Sequence, residues 1–411
     1  MRWLLLLCLC ASPTLAARDY PRLCLYDPQP EMIYTADHRL DARELAECGR
    51  YDLICSLHHG GLAAQVKTKH PQVRILQNIT LGGARPDPLY EWQYPDTAWG
   101  VEEWTTHVAW QNAQWFYRDT NDRFLPTIWG RRYLNITSYC WPGTHGSGSG
   151  LTYAQWLQRR VPQLLRSREF TSAYDGVILD TWPCVDGWDV NWRGVDYDQD
   201  GEPDDHYGSL YGWDAIYQRQ PWEMEKYNAM SGVFAAWRQA LPRPKLFLLS
   251  GDWPMSYYGR RLNGWKSEHW GWQPPLSPVF RDWWEGKDQR VGITETVDRF
   301  TVPDSELVQI IHAVMPSSWP STRQAEWARV VTAVSMMQDY TYAAVCVGHP
   351  DGSRTLLVPP EWSAWRCDYP LGPACWSGTR MHRAFRAGTR TVVLWLETAG
   401  PPEKWRAWMA R

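Results

Sequence analysis

The sequence predicts an α/β protein: a (β/α)8 TIM barrel with long βα-loop insertions and a small C-terminal β segment. Three observations carry this expectation. Eight short stretches rich in β-branched and aliphatic residues recur along the chain. Helix-compatible segments separate most of them, and strand–helix alternation is the arithmetic of a parallel sheet. No Gly-rich phosphate loop follows the first stretch, which disfavours the doubly wound open sheet.

Residues 1–16, MRWLLLLCLCASPTLA, combine one basic residue, a Leu-rich core and small residues near Ala16. A core of about ten residues with no stop-transfer sequence reads as a secretory signal peptide rather than a membrane span. The mature chain is therefore expected to start near Ala17, to be secreted or periplasmic, and to have no integral membrane segment. The barrel is assigned to 17–350 and a β extension to 351–411.

The predicted strands are LCLYD (23–27), YDLICS (51–56), VRILQNIT (73–80), YDGVILD (174–180), KLFLLSGD (245–252), LNGWKSE (262–268), LVQIIHAV (307–314) and YTYAAVCVG (340–348). Predicted helices run from Ala42 to Cys48, Gly61 to Lys69, Thr152 to Ser167, Trp222 to Ala240 and Thr322 to Gln338. In the last, Ala325, Ala328, Val331, Val334 and Ser335 fall on one helical face. Two connections exceed what a plain barrel needs. Residues 81–151 are Trp-, Tyr- and Pro-rich and contain GTHGSGSG (143–150), read as a flexible tip; residues 181–221 carry an acidic loop. Both follow strands, so both should wall a cleft on the catalytic face. Past Gly348, Gly/Pro turns and a hairpin-like pair (382–397) form the β extension.

Composition narrows the function classes. The formal net charge is −3, and no basic tract interleaves with aromatics, so nucleic acid is not an expected partner. Eight cysteines remain once Cys8 and Cys10 leave with the signal; none forms a CxxC pair, which disfavours zinc. Export permits disulfides, and Cys367 with Cys375 is the closest-spaced pair. Tryptophan is abundant, 29 residues beside 21 Tyr and 8 Phe. Amphipathic rings suit sugars, which present C–H groups to a ring and hydroxyls around it. Core packing accounts for some of these rings, but Trp283-Trp284 and Trp270-Gly271-Trp272 do not follow a helix-core pattern.

The fourth predicted strand ends in Asp180 and the sixth in Glu268. In an eight-stranded barrel, alternate strands place same-layer residues across one mouth. Glycoside hydrolysis needs such a carboxylate pair: one attacks or stabilises the anomeric carbon, and the other protonates the leaving oxygen. Asp180 is short, on a rigid strand tip, and suits the nucleophile. Glu268, beside His269-Trp270, suits the acid/base, because an aromatic neighbour desolvates it. Strand capping for Asp180 and an ordinary salt-bridged Glu268 are the bland alternatives. A carboxyl separation of about 5–5.5 Å means retention and about 6.5–9.5 Å inversion. Asp27, His58, Asn78, Trp182, Asp252, Trp253 and Trp270 supply further polar or stacking groups at strand ends, the set expected to bind substrate. His58 and His59 lack metal-ligand spacing, and no GxSxG elbow is present.

The loop DYDQDGEPDD (196–205) places Asp196, Asp198 and Asp200 at alternate positions before Gly201, with Asp204 in the ninth place of a calcium loop. The twelfth position is Tyr207 rather than Glu, so the site is not a complete helix–loop–helix motif. A solvated acidic turn is the alternative. The expected cofactor is a structural Ca2+ beside Asp180, with no organic cofactor. Asn78 and Asn135 begin Asn-Ile-Thr sequons, but a glycan at Asn78 conflicts with its strand-end position.

Taken together, YDGVILDTW, DYDQDGEPDD, LFLLSGDW, NGWKSE, CDYPLGPA and HRAFRAG resemble glycoside-hydrolase-like (β/α)8 proteins found mainly in bacteria, over roughly residues 70–390. The resemblance implies a nucleophile after strand four and an acid after strand six, which match Asp180 and Glu268, and α-linked sugars as substrates. The C-terminal strand departs from the pattern, reading VVLWLE where an Asn-Pro turn is expected. The leading expectation is an exported retaining glycoside hydrolase acting on an oligo- or polysaccharide. A non-catalytic carbohydrate-binding barrel with a Trp-rich cleft is the alternative, and a calcium-stabilised surface protein ranks third.

Overall fold

A computed structural model describes residues 20–26, 39–55, 57, 60–81, 83–84, 101–125, 132–180, 195–196, 198–202, 221–250, 261–267, 306–350, 354–357, 362–399 and 404–410. Nine strands form one sheet in chain order: β1 (Cys24–Leu25), β2 (Leu53–Cys55), β3 (Arg74–Thr80), β4 (Gly176–Asp180), β5 (Leu246–Ser250), β6 (Gly264–Ser267), β7 (Val308–Pro316), β8 (Thr341–Gly348) and β9 (Arg354–Leu356). The first eight pair in parallel. Most are short, largely apolar runs, as strands buried on both faces require, but β6 reads GWKS.

The expected (β/α)8 TIM barrel is corrected by this topology. The ninth strand runs antiparallel on β8. The two-residue β1 cannot build a ladder to β8; they meet at one bridge, Leu23 to Ala343, with Ala343 N donating to Arg22 O at 3.0 Å. Among the described residues, strands dominate over helices. The result is a curled, mostly parallel sheet resembling a half-barrel.

Helices cover its convex face: α1 (Ala42–Cys48), α2 (Gly60–Lys69), α3 (Val101–Gln111), α4 (Tyr153–Arg159), α5 (Val161–Leu165), α6 (Arg168–Ala173), α7 (Pro221–Ala240) and α8 (Ser321–Met336). Asp41 caps α1 in a reciprocal box with Glu44, and Thr152 caps α4 with Gln155. The expected helix from Thr152 to Ser167 breaks after Arg159, where Pro162 enters the first turn of α5 and withholds an N–H from the preceding turn. Strand alternation splits the sheet's side chains. Ile54, Ile75, Val177, Leu179, Phe247 and Ile311 join the large core under the helices, while Cys24, Leu76, Ile178, Leu248, Ile310 and Ala344 form a smaller cluster inside the curl.

The C-terminal sheet comprises β10 (Tyr369–Pro370), β11 (Cys375–Ser377), β12 (Arg380–Ala387), β13 (Arg390–Glu397) and β14 (Arg406–Ala410). The β12–β13 hairpin turns through Gly388 at φ 59°, left-handed backbone that glycine adopts without strain. Trp405, leading into β14, stacks on Trp327 of α8 at 5.9 Å, tying this sheet to the core. Cys367 and Cys375 are not bridged: Cys367 is buried and donates to Trp365 O, whereas Cys375 is exposed.

Candidate active site

The carboxyl ends of the parallel strands gather polar side chains at the inward positions. Tyr26, just past β1, Asn78 of β3 and Asp180 of β4 meet directly. Tyr26 Oη donates to Asp180 Oδ2 at 2.9 Å, and Asn78 Nδ2 lies 3.3 Å from both that oxygen and the Tyr26 oxygen. Both donors engage the same carboxylate oxygen, which fixes rotation of the carboxylate plane. Asn78 is 5% exposed, and its Oδ1 has no hydrogen-bond partner among the described residues.

Lys266 on β6 is 0% exposed, and its Nζ sits 3.4 Å from the centroid of the Tyr26 ring. An ammonium over a phenol face is held by the ring quadrupole, more strongly where water is excluded. His312 on β7 packs its ring 4.6 Å from Tyr26 and places Nε2 3.6 Å from the Cys346 thiol of β8. Burial pushes that thiol up to about 12, against the opposing pull of Lys266. Burial also lowers the Arg354 value, partly offset by Tyr26. Tyr26 is thus the hub: ring against Lys266 and His312, hydroxyl against Asp180.

Glycine at two strand starts lets β4 and β6 lie close against β5 and β7. Gly176 (φ 155°) opens β4, and an added Cβ would lie 2.0 Å from Leu246 O; at Gly264 (φ 158°), opening β6, it would lie 1.6 Å from Val308 O. Only a residue without Cβ lets neighbouring backbones approach so closely.

Of the sequence-predicted residues, the structure unites Asn78 and Asp180. Asp27, His58, Trp182, Asp252, Trp253, Glu268 and Trp270 lie outside the described residues, as does Asp204. Tyr26, Lys266, His312 and Cys346 were missed. Lys266 carried a readable signal, since a cation at an inward position of the strand LNGWKSE is rarely buried without a function or a partner.

Asp196, Asp198 and Asp200 bring carboxylate oxygens within 4.8 Å of one another. Asp196 Oδ1 accepts from Asp200 N at 3.0 Å and Oδ2 from Gly201 N at 2.9 Å, while Asp200 Oδ1 accepts from Glu202 N at 2.8 Å. Hard oxygens in this array fit Ca2+ in donor type. The segment also pairs with the other insertion: 195–196 forms a two-stranded ribbon with 118–119, and Gln199 Nε2 donates to Gln114 O at 2.9 Å. The stretch 143–150, expected as a flexible tip, is folded around Asn112, whose Oδ1 accepts from Thr144 N and His145 N. Both sequon asparagines are buried, and Asn135 Oδ1 accepts from Thr137, so neither side chain is placed to carry a glycan.

No protein-family model matches the sequence, and no curated protein matches it. Among solved structures, Eubacterium rectale Amy13B aligns with 92% of this chain and 86% of its own at 7% identity and a TM-score of 0.42, a likeness too low to carry fold or function across. No helix among the described residues is long and apolar enough to cross a membrane.

Proposed function

We propose that the chain is an exported glycoside hydrolase of the retaining type, acting on an oligo- or polysaccharide. The observation that carries the reading is Asp180 at the carboxyl end of a parallel strand, with Oδ2 held by Tyr26 and Asn78. Ligands bind at such strand ends in parallel sheets. In this reading Asp180 attacks the anomeric carbon through Oδ1, forming a glycosyl ester, while Glu268 protonates the departing glycosidic oxygen. Glu268 then removes a proton from the water that cleaves the ester and returns to its acid form. Tyr26 and Asn78 steady the negative charge on Asp180 before attack and after release.

Export by cleavage of residues 1–16 belongs to the same proposal. So does a structural Ca2+ held by Asp196, Asp198 and Asp200; it would offset most of the charge of three clustered carboxylates and stiffen the loop that follows β4, taking no part in bond cleavage.

The test is a screen of 4-nitrophenyl α- and β-glycosides with wild type and Asp180→Asn. The expected result is turnover of at least one glycoside, with retained anomeric configuration by NMR, and a loss on the order of 10³-fold or more in the variant. Turnover that survives Asp180→Asn unchanged overturns the assignment. For the metal, Ca2+ should raise the melting temperature of wild type but not of Asp198→Asn/Asp200→Asn; an equal rise in both refutes it.

A further inference from the structure

Trp141 and Tyr139 are large side chains left in water, 51% and 43% exposed, although the stretch that carries them is closely held. Cys140 between them is buried. Ser138 Oγ donates to Glu225 Oε2 at 2.7 Å, Gln114 Nε2 donates to Pro142 O at 3.0 Å, and Trp141 Nε1 itself donates to Asp198 O at 2.9 Å. The indole is therefore fixed by its edge while much of its surface remains in solvent. A side chain ordered before binding spares its ligand that ordering penalty.

We propose that Trp141 is a stacking platform for a pyranose ring of a neutral glycan chain, outside the catalytic centre. Ligand chemistry follows from what surrounds the ring. A pyranose offers a C–H face to an aromatic plane and hydroxyls at its rim. The indole is bonded to the main chain of an acidic segment that carries Asp196, Asp198, Asp200 and Glu202, a segment rich in acceptors for hydroxyls at a ring's rim. The carboxylates of Asp196, Asp198 and Asp200 outnumber the charges of one Ca2+, and Glu202 and Glu225 lie in the chain segments that hold the platform, so this surface stays negative and disfavours uronate, sulfate or phosphate groups. Position supports a chain-binding role: the platform belongs to the insertion after β3, whose Asn78 contacts Asp180, and it is hydrogen-bonded to the insertion after β4, which Asp180 ends. The inference rests on the proposed action on glycans and adds a subsite for longer chains.

Native electrophoresis in gels containing dextran, glycogen, xylan or galactomannan, and in parallel alginate or polygalacturonate, tests it without turnover. Wild type and Asp180→Asn should both be retarded by at least one neutral polymer. Trp141→Ala should weaken that retardation on the order of tenfold in affinity, and Trp141→Phe should restore part of it. Turnover of the small aryl glycoside should be the same in Trp141→Ala and wild type. No retardation by any neutral polymer, retardation by the anionic polymers alone, or retardation unchanged in Trp141→Ala overturns the platform. Loss of aryl-glycoside turnover in Asp180→Asn, or its absence in wild type, bears on the hydrolase reading alone.

Discussion

Replacing Tyr26 by Phe removes one oxygen from the hub of the site and leaves its packing in place. The ring still lies under the Lys266 ammonium and against His312. What disappears is the 2.9 Å bond to Asp180 Oδ2 and the acceptor of one Asn78 N–H. A hydrogen bond to a charged group contributes about 1.5–3 kcal/mol net. If Asp180 carries more charge in the free enzyme than at the transition state, the bond's main effect is orientation, and kcat/KM for the aryl glycoside should fall by roughly 10- to 100-fold. Tyr26→Leu also removes the desolvated cation–π contact, worth about 2 kcal/mol, and opens a cavity, so it should lower the melting temperature well beyond Tyr26→Phe. Steady-state kinetics and thermal unfolding of the two variants are the assays. A Phe variant matching wild type in both rate and melting temperature refutes the hub, and the unfolding comparison stands whether or not a substrate is in hand.

Gly176→Ala forces a Cβ to within 2.0 Å of Leu246 O at positive φ; backbone strain of about 1–3 kcal/mol plus about 1–3 kcal/mol for displacing β5 should cost roughly 2–6 kcal/mol, read by chemical denaturation. Burial pushes the Cys48 and Cys140 thiols up to about 12, whereas Cys375 is exposed. At pH 8, Cys375→Ser should therefore lose one equivalent of fast-reacting thiol toward a disulfide reagent, and Cys140→Ser none. The Arg380 hydrogen bond holds Glu397 below the usual carboxylate range. A depressed folded value means that its stabilisation is present above the ordinary carboxylate value and is lost as pH falls through the folded value. Acid unfolding of Glu397→Gln should accordingly depend less on pH below about 4.5 than that of wild type.

The parallel strands were legible in the sequence because most are largely apolar runs bounded by polar or turn-forming residues; all eight predicted positions are strands, in the expected order. Closure was not legible. It depends on how many residues β1 contributes to a ladder with β8, and LCLYD supplies only Cys24 and Leu25 as strand, a length set by tertiary contacts rather than propensity. The antiparallel β9 lay within a stretch assigned to the C-terminal extension. In the site, Asp180 was readable because a carboxylate ending the apolar run Val177-Ile178-Leu179 is unusual, and Asn78 because it lies near the end of the neighbouring strand. Tyr26 and His312 were not, since a Tyr or His inside an apolar run also serves as ordinary core. Their significance comes from convergence across β1, β4, β6 and β7, which no local pattern encodes.

The ribbon that joins 118–119 to 195–196 makes the two rim insertions a single mechanical unit. Loops on a parallel sheet are ordinarily independent modules, free to diversify one at a time. Here a length change in either would break the register of the other and release the indole at Trp141 along with it. Variation in this rim should therefore arise in matched pairs, and a transplant of its binding properties onto another scaffold would have to carry both loops together.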